Sequence, residues 1–479
     1  MKNIPENTSF YFHDYETFGI HPAFDRPAQF AGVRTDRDFN IIDEPLVIYC
    51  KPAPDYLPNP EAVLLTGITP QIALQKGVCE AEFAQLIHQQ FSQAKTCILG
   101  YNNIRFDDEV TRNILYRNFY DPYAYSWQNG NSRWDLLDLV RACYALRPEG
   151  INWPTNEQNL PSFRLEHLTQ ANHIEHAHAH DAMSDVYATI AIAKLIKEKQ
   201  PKLFDYFFHL RNKNLVADLI DVNNITPLVH VSGMLGAYRG NTTWVAPLIW
   251  HPQQNNAVVV CDLAGNVDSL IELDEQQIAE KLYTKTEDLA ESESRIPLKL
   301  VHTNKCPIIA PAKTLLPENA ARLSIDRDLC LKNLAKIKQH QALIKEKLLA
   351  LYNQSTNFSE TSDVDGQIYQ GFWDSHDKSL CQTILQSSPN SLFNLKISPN
   401  DDRLKKLFFR YKARNYPQQL NEKEQQQWKL HCQEKLNQHV LQDYLLQLEQ
   451  FTQIYQSQPE KLELVKSLYH YCRFIVGDR

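Results

Sequence analysis

Four short segments near the start of the chain have the apolar pattern of β-strands. These segments are Phe10–Tyr15, Gln29–Thr35, Leu46–Cys50 and Thr96–Tyr101. Other segments repeat apolar residues at the spacing of a helix that buries one face. The predicted helices are Glu80–Phe91, Asp107–Phe119, a shorter one from Arg164 to Leu168, and Asp181–Lys197. Strands and helices that alternate in this way predict an α/β domain.

The pattern changes after the charged stretch that ends in Pro201, which we take as the first domain boundary. Beyond it, strand patterns rich in Val, Thr and Trp occupy His230–Pro247 and Ala257–Asp262, with a turn predicted at Arg239–Asn241. A second boundary is the polar stretch Ser355–Asp365. Four helices are predicted after it: Asp401–Lys412, Glu422–Asn437, Leu441–Gln456 and Pro459–Ile475. We predict three domains, at residues 9–196, 201–355 and 358–477: an α/β domain, a mixed and partly β domain, and an all-helical domain.

The length and the charge fit a globular protein of several domains. A chain of 479 residues exceeds what one hydrophobic core usually covers. The 49 Lys and Arg residues against 57 Asp and Glu residues give a net charge of −8. This charge argues weakly against nucleic-acid binding, because such proteins are often basic. A locally positive channel on an acidic protein can still bind a strand.

The cysteines and the N-terminus indicate a cellular compartment. Ten cysteines without a C-x-x-C pair are typical of reduced thiols rather than of disulfides or a structural zinc site. The N-terminus has no apolar segment of the kind found in secretion signals. No apolar stretch reaches the roughly twenty residues that cross a membrane. We therefore expect a cytoplasmic protein without a membrane partner. We also expect a monomer, although these features of the sequence do not determine the oligomeric state.

Four acidic residues and one histidine are the candidate chemical groups. Asp14 and Glu16 lie two positions apart on the first strand, so both project from the same face. Neighbouring carboxylates repel each other unless a cation lies between them, and Mg²⁺ prefers such oxygen ligands. Asp107 opens the helix after the fourth strand, and Asp185 lies in the last helix of the first domain. Four carboxylates can hold two divalent ions that act on a phosphodiester.

A histidine-rich segment precedes Asp185. His180 can serve as a general base for an attacking water, because its pKa lies near neutrality. An alternative is that His173, His176, His178 and His180 form a zinc site. We favour the carboxylate site, since only His180 stands five residues before an Asp on a helix, and we expect the other three histidines at the surface.

Several other residues of the first domain have less certain roles. Asp108 and Asp181 adjoin the candidate ligands and are predicted to face away from them. Asp135 and Asp138 are predicted to cap or brace a helix. Arginines and aromatic residues are interleaved between positions 112 and 141, which is typical of a surface that stacks bases and contacts phosphates. Any single ring in that stretch could equally pack in the core.

The three acidic motifs resemble those of the DnaQ-like DEDD exonucleases, in the subclass that has H-x(4)-D. They occur in order as D-x-E at Asp14, the stretch NNIRFDDEV around Asp107, and H-x(4)-D at His180. Longer segments resemble the bacterial exonuclease I family over nearly the whole chain and most weakly after about Ser355. Examples are FHDYETFG, LTGITP, GYNNIRFDDEVTRN, NSRWDLLDL and LPSFRLEHL.

The resemblance implies an RNase H-like exonuclease domain, an SH3-like domain with added helices, and a helical C-terminal domain. It implies processive 3′→5′ hydrolysis of single-stranded DNA to 5′-mononucleotides, in DNA repair and recombination. The implied cofactor is Mg²⁺, two ions per site, with Mn²⁺ as a substitute. The implied metal ligands are Asp14, Glu16, Asp107 and Asp185, with His180 as the base. The implied DNA contacts are Glu16, Arg112, Tyr123, Trp127, Arg141 and Arg164.

The resemblance also implies a protein partner, the single-stranded DNA-binding protein, whose acidic C-terminal tail would dock on the enzyme. Such a tail needs an apolar pocket flanked by basic groups. Candidates are Arg147, and Arg211 with Lys213 near Phe207 and Phe208. The basic run from Arg403 to Arg414 could line a DNA path, dock a partner or form a solvated helix face, and we favour the last.

Two other functions stay open from the sequence. A DEDD exoribonuclease would share the acidic motifs, although the extra domains argue against it. A nuclease fold that binds DNA without cleaving it would also share the surface, although all five chemical positions are intact.

Overall fold

The computed structural model describes residues 8–176, 181–284, 288, 295–353 and 361–477. These residues form two compact units. The carboxylate unit contains the described residues of 6–132, 176–187 and 359–479, and the second-sheet unit contains those of 133–175 and 188–358. Each unit combines separate stretches of the chain. This division therefore does not test the three consecutive domain ranges, which stay a prediction.

The first sheet has five strands in the order β3-β2-β1-β4-β5. They are β1 (Ser9–Thr17), β2 (Pro27–Thr35), β3 (Leu46–Tyr49), β4 (Thr96–Gly100) and β5 (Ser132–Asp135). β1 pairs antiparallel with β2 and parallel with β4. The four predicted strands are confirmed within a few residues. The sequence analysis missed β5, because four residues are too few to show a regular apolar pattern. The boundary between the carboxylate unit and the second-sheet unit falls within this strand.

The first seven α-helices include three that the sequence analysis missed, at residues 60–66, 70–76 and 136–146, while the other four lie close to their predicted positions. They are α1 (Pro60–Thr66), α2 (Pro70–Lys76), α3 (Glu80–Phe91), α4 (Asp107–Arg117), α5 (Leu136–Leu146), α6 (Leu165–Ala171) and α7 (Ala182–Lys199). α4 ends before the predicted Phe119, which adopts a positive φ of 66°. Pro201 does not simply end α7: it occupies the first turn of α8 (Pro201–His209), where proline needs no hydrogen-bond donor.

The second sheet lies in the second-sheet unit and is antiparallel throughout, in the order β10-β6-β7-β8-β9. Its strands are β6 (Leu228–Val231), β7 (Thr242–Trp250), β8 (Ala257–Asp262), β9 (Leu298–His302) and β10 (Ile308–Pro311). The predicted turn is present as a 3₁₀ turn, Ala237–Arg239, that ends at Gly240 with φ of 56°. The helices of this region are α9 (Lys213–Asp218), α10 (Asp268–Glu272), α11 (Glu275–Tyr283), α12 (Pro317–Arg322), α13 (Arg327–Gln339) and α14 (Gln341–Asn353).

The last part of the chain is helical, as predicted. Its helices are α15 (Ser375–Gln386), α16 (Pro389–Leu392), α17 (Asp402–Asn415), α18 (Glu422–Lys435), α19 (Gln438–Ile454) and α20 (Pro459–Gly477). The sequence analysis missed α15 and α16. Among the described residues, no helix is both long enough and apolar enough to span a membrane.

The carboxylate unit buries apolar clusters, some of which join early and late parts of the chain. One packs β1, β2 and β4 against α3 and α4, with Phe30, Phe83 and Ile114 among its members. A second joins Phe119 to Phe408 and other residues of α17. A third joins Phe18 and residues of β2, α1 and α2 to α19 and α20. The helical C-terminal region therefore shares its core with the first sheet.

Candidate functional site

The structure brings three of the predicted carboxylates together at the end of β1. Asp14 and Glu16 on β1 and Asp185 on α7 each offer one oxygen, and these oxygens lie within 4.8 Å of one another. Asp107, the first residue of α4, is buried, and its Oδ1 accepts a hydrogen bond of 3.3 Å from the backbone N–H of Tyr15. Since Tyr15 lies between Asp14 and Glu16, this bond holds Asp107 beside the pair.

The sheet explains why these groups meet. β1 is a central strand, and its parallel neighbour β4 ends at Gly100, so both strands have their carboxyl ends at the same edge. A side chain at Gly100 would not fit, because a Cβ there would lie 2.7 Å from the backbone oxygen of His13. The chain then continues into α4, whose first residue, Asp107, lies at that edge. Ligands usually bind at this edge in sheets of this kind.

Asp185 is positioned by the start of α7. The backbone N–H of Ala182 donates to Oε1 of Gln29 on β2 at 3.4 Å, and Gln29 lies opposite Glu16 in the sheet register. Asp181 caps the helix, because its Oδ1 accepts from the N–H of Ser184 at 3.0 Å. Asp181 was expected to face away, yet its charge helps to raise the pKa of both Asp14 and Glu16.

The electrostatics of the cluster favour a bound cation. Burial raises the pKa of Asp14 well above its usual value, and the nearby charges of Asp107, Glu16 and Asp185 raise it further. Burial and the charges of Asp185, Asp107 and Asp181 raise the pKa of Glu16 to about 9. Without a cation, the cluster therefore retains protons at neutral pH. A set of carboxylate oxygens fits a hard divalent ion, which would take the place of those protons.

His176 is not the surface residue that the sequence analysis expects. Its side chain is only 5% exposed, and its Nε2 lies 2.6 Å from Oδ1 of Asp185. The expectation failed because the partner of His176 is Asp185, nine positions away on α7, and the segment around His176 has no regular apolar pattern that predicts burial. His173 is exposed, as expected. His178 and His180 lie outside the described residues, so the role of His180 stays a prediction.

The predicted strand-binding stretch contains both paired and exposed side chains. Arg112 is 11% exposed, its Nη1 donates to Oε1 of Glu109 at 2.6 Å, and its guanidinium lies 5.4 Å from the centre of the Tyr123 ring. Trp127 is 63% exposed and available for stacking. Tyr116 and Tyr125 of the same stretch are buried, so their rings pack in the core instead of lying at the surface. Asp108 is also buried and accepts from the Tyr125 hydroxyl at 3.5 Å.

Two residues of the C-terminal region join this surface, and the sequence analysis missed them. The ring of Phe372, 82% exposed, lies 5.8 Å from that of Tyr123. The hydroxyl of Tyr369 donates to Oε2 of Glu109, a residue 260 positions away. The only signal in the sequence is an aromatic cluster within a polar stretch, and nothing local links it to α4.

Comparisons with known proteins match each region of the chain. Residues 11–193 match the family described as "Exonuclease". Residues 211–354 match "Exonuclease I SH3-like domain", and residues 362–475 match "Exonuclease I C-terminal domain". Exodeoxyribonuclease I of Escherichia coli (strain K12) is 56% identical over 99% of this chain and 100% of its own length. The chain belongs to the exodeoxyribonuclease I family. The protein of the same name from Haemophilus influenzae is 55% identical over 98% of this chain and 99% of its own length.

Solved structures of an exodeoxyribonuclease I are equally similar. The E. coli exonuclease I complex with a dA16 oligonucleotide has a TM-score of 0.96 at 56% identity and covers 98% of this chain and 100% of that one. A zinc-bound E. coli complex with single-stranded DNA has a TM-score of 0.95 at 56% identity and covers 98% and 99%. A structure described as SSB/exonuclease I with an inhibitor has a TM-score of 0.91 at 56% identity and covers 98% and 99%. These matches confirm the predicted fold class: exonuclease, SH3-like and helical regions.

Within this exodeoxyribonuclease I fold, two predicted DNA contacts belong to the second-sheet unit. Arg141 donates from Nη1 to Oδ1 of Asp138 at 2.8 Å, as the bracing role predicted for Asp138 requires. Asp135 caps α5 as predicted, by accepting from the N–H of Leu137 at 3.0 Å. Arg164 is 74% exposed and lies 3.9 Å from Glu166, so its guanidinium is accessible.

The proposed tail-docking pocket near Phe207 and Phe208 needs correction. Both rings are 1% exposed, and the Arg211 guanidinium stacks 3.5 Å from the centre of the Phe208 ring. These rings therefore form part of the core rather than an open pocket. Arg147 donates to the backbone oxygen of Thr314 at 3.1 Å, and Lys213 is exposed.

The basic run of α17 is only partly the solvated face that the sequence analysis favours. Lys405 and Lys406 are exposed. Lys412 is 8% exposed, and the side chain of Arg414 is 6% exposed and paired with two aspartates. A cavity of about 860 Å³ lies along this helix and is lined by Lys405, Lys406 and Phe409 among others. The expectation fails for Arg414 because it pairs with the buried Asp55 and Asp365 of distant segments, and for Lys412 because its Nζ lies 2.6 Å from Oε1 of Glu424 on α18.

Proposed function

We propose that this chain is a metal-dependent 3′→5′ exodeoxyribonuclease that removes 5′-mononucleotides from single-stranded DNA. The observation that carries the proposal is the convergence of Asp14, Glu16 and Asp185 within 4.8 Å, with Asp107 held beside them. The family membership and the DNA complex of the E. coli relative support the choice of substrate.

The four carboxylates are the proposed ligands of two Mg²⁺ ions, for which Mn²⁺ would substitute. When bound, such ions neutralise charge on the phosphodiester and increase the acidity of an attacking water. The carboxylate side chains would hold the ions, and Asp14 and Glu16 would lose their protons when the ions bind. The zinc-bound form of the E. coli relative supports metal binding by this family, and both the position and the identity of the ion in this chain are part of the proposal.

His180 is the proposed general base, which would accept the proton of the attacking water. This role is supported by the H-x(4)-D spacing to Asp185 and by the family. Glu16 and Arg164 are the proposed contacts of the terminal nucleotide. The accessible guanidinium of Arg164 suits a phosphate or a sugar hydroxyl.

The proposed surface for binding single-stranded DNA combines base stacking with charged contacts to phosphates. Tyr123 and Trp127 would stack on bases, and Phe372 extends the aromatic surface beside Tyr123. Arg112 and Arg141 are proposed phosphate contacts. Because Glu109 and Asp138 pair with them, part of their charge is already compensated, and we assign them a smaller share of the affinity than the exposed Arg164.

We propose that this enzyme binds the acidic tail of the single-stranded DNA-binding protein, as the complex described for the relative suggests. Arg147 and Lys213 are the remaining basic candidates from the sequence. Charge carries part of such an interaction, so it should weaken with salt. Processive digestion, a cytoplasmic location and a monomeric state are likewise proposals. They rest on the family resemblance and on composition.

The decisive experiment digests end-labelled oligomers of single-stranded DNA, double-stranded DNA and RNA, with Mg²⁺ or with EDTA. We expect stepwise shortening from the 3′ end of single-stranded DNA only, and only with Mg²⁺. Faster digestion of RNA would instead assign an exoribonuclease. Binding of single-stranded DNA without cleavage at any Mg²⁺ or Mn²⁺ concentration would assign an inactive binding module.

A further inference from the structure

A histidine other than the proposed base contacts the carboxylate cluster. Nε2 of His176 lies 2.6 Å from Oδ1 of Asp185, a short hydrogen-bond distance. The His176 side chain is 5% exposed and that of Asp185 is 19% exposed, so the contact is shielded from competing water. Neither the acidic motifs nor the H-x(4)-D spacing includes His176.

This contact acts on the one carboxylate of the described cluster that a residue within a helix supplies, rather than a strand or the first residue of a helix. Asp14 and Glu16 project from a strand that is paired on both sides, and Asp107 is fixed by the N–H of Tyr15. Asp185 lies in the first turn of α7, and its carboxylate faces the negative charges of Asp14 and Glu16. Repulsion would favour a rotamer that turns Asp185 away. A donor on one of its oxygens fixes the plane of the carboxylate against that repulsion.

We propose that His176 is a positioning residue of the metal centre, which holds the Asp185 carboxylate in the orientation that a cation requires. This inference rests on the proposed function, because it assigns His176 to the same site. Hydrogen-bond partners of ligating side chains commonly have this role, and their loss typically lowers metal affinity or activity by about 10–100-fold.

The same geometry has one competing interpretation. His176 could occupy the Asp185 oxygen in place of a cation and so oppose metal binding. The two interpretations predict opposite results when the imidazole is removed. A positioning residue strengthens metal binding, so its loss weakens the affinity. A competitor weakens metal binding, so its loss increases the affinity.

The test measures Mn²⁺ binding to the full-length protein without DNA, by electron paramagnetic resonance of the free ion. We expect His176→Ala to raise the dissociation constant by about 10–100-fold. His176→Gln should restore most of the affinity, since its amide N–H can reach the same acceptor. The matched control is His173→Asn, which removes an exposed imidazole of the same segment and tolerates the φ of 55° at that position.

Unchanged or tighter Mn²⁺ binding by a folded His176→Ala protein would overturn the inference. If that variant does not fold, His176→Leu, which keeps the bulk without the donor, replaces it in the same comparison. If the proposed metal site itself is wrong, the result is different: the unsubstituted protein would bind no Mn²⁺. The inference about His176 would then also be wrong.

A second readout separates positioning from a merely structural role. In assays with labelled single-stranded DNA, His176→Ala should need about 10–100-fold more Mg²⁺ for half-maximal cleavage, while saturating Mg²⁺ restores most of the maximal rate. A variant that was simply misfolded would lose the maximal rate without a shift in the Mg²⁺ requirement. That result would also contradict the inference.

Discussion

Nη2 of Arg414 lies 2.6 Å from Oδ2 of Asp365, and both side chains are almost fully buried. The same nitrogen lies 2.7 Å from Oδ2 of Asp55, and Asp365 also accepts from Arg26 at 2.8 Å. Arg26 and Asp55 belong to the part of the chain that builds the first sheet, whereas Arg414 lies in the last turn of α17. These buried charges therefore connect the C-terminal helices to the first sheet within the carboxylate unit.

We expect Arg414→Ala to destabilise the protein by roughly 3–5 kcal/mol, because it leaves two buried carboxylates without their main partner. Urea unfolding followed by circular dichroism measures this change. The control is Lys406→Ala on the same helix, an exposed position where the change should stay within about 0.5 kcal/mol. Equal effects of the two substitutions would mean that the buried ion pairs contribute little.

The buried pairs also predict sensitivity to acid. Burial alone would raise the pKa of Asp365, but Arg414, Arg26 and Arg410 outweigh it and hold the pKa well below the usual value. Asp365 therefore contributes stability that is present above the usual carboxylate pKa of 3.8 and is lost as the pH falls through its folded value. Asp365→Asn should lower stability at pH 7 and flatten its decrease between about pH 5 and pH 2. An unchanged acid profile would contradict this.

The predictable part of the structure is the part that local patterns determine. Asp14 and Glu16 share a face because side chains repeat every two residues on a strand, and Asp107 and Asp185 open or occupy helices with clear periodicity. The burial of Arg414 was not predictable, since the helical pattern of α17 gives no information about Asp55 or Asp365. The same holds for His176, whose partner Asp185 is defined by the fold rather than by sequence spacing.

The shared core between the first sheet and the C-terminal helices was also beyond the reach of the sequence. Phe119 and Phe408 are both buried, and their rings lie 6.3 Å apart although 289 positions separate them (408 − 119). A local pattern marks each as apolar but cannot assign its partner. Removal of the C-terminal region would expose this core, so function is better tested by point substitutions in the full chain.

A substitution in the carboxylate cluster should separate activity from stability. We expect Asp14→Asn to abolish cleavage of single-stranded DNA while binding of the strand persists, because it removes a proposed metal ligand and leaves the aromatic surface intact. In EDTA the variant should be more stable by roughly 0.5–2 kcal/mol, because asparagine avoids the free-energy cost of either protonating the buried Asp14 carboxylate or leaving it charged beside its acidic neighbours. The measurements are a gel assay, anisotropy with labelled DNA and urea unfolding. Cleavage near the unsubstituted rate would refute the ligand assignment.

The raised pKa of Glu16 predicts how the effect of Mg²⁺ varies with pH. Burial first, and then the neighbouring acids, raise this pKa from 4.5 to about 9, so the unfolded chain loses its proton at lower pH than the folded protein does. Metal-free stability should therefore decrease as the pH rises from 4.5 to about 9. Mg²⁺ takes the place of the proton, so the increase in melting temperature that it causes should be larger at higher pH.

Thermal unfolding at a series of pH values, with Mg²⁺ or with EDTA, checks this expectation. Glu16→Gln serves as the control, because glutamine does not titrate and should reduce the pH dependence in EDTA. A stabilisation by Mg²⁺ that is constant across the series would contradict the assignment of coupled, proton-retaining ligands.

The aromatic surface beside α4 should contribute to affinity independently of salt. Trp127 and Phe372 are 63% and 82% exposed, so each ring can stack on a base without rearrangement of the core. We expect Trp127→Ala and Phe372→Ala each to weaken binding of an oligo-dT strand in EDTA by about 1–3 kcal/mol. Because stacking releases no counterions, the slope of log affinity against log salt should stay unchanged. Arg164→Ala should instead reduce that slope by about 0.7, the value for one phosphate contact on a single strand.

Phe474→Ala is the matched control, since Phe474 is an exposed ring, 58% accessible, on α20. Fluorescence anisotropy at several salt concentrations measures all four variants. If Phe474→Ala weakened binding as much as Trp127→Ala, the loss would reflect general exposed apolar area rather than a defined stacking surface. If Trp127→Ala changed the salt slope while Arg164→Ala did not, the assignment of stacking to the aromatic residues and of phosphate contact to Arg164 would be wrong.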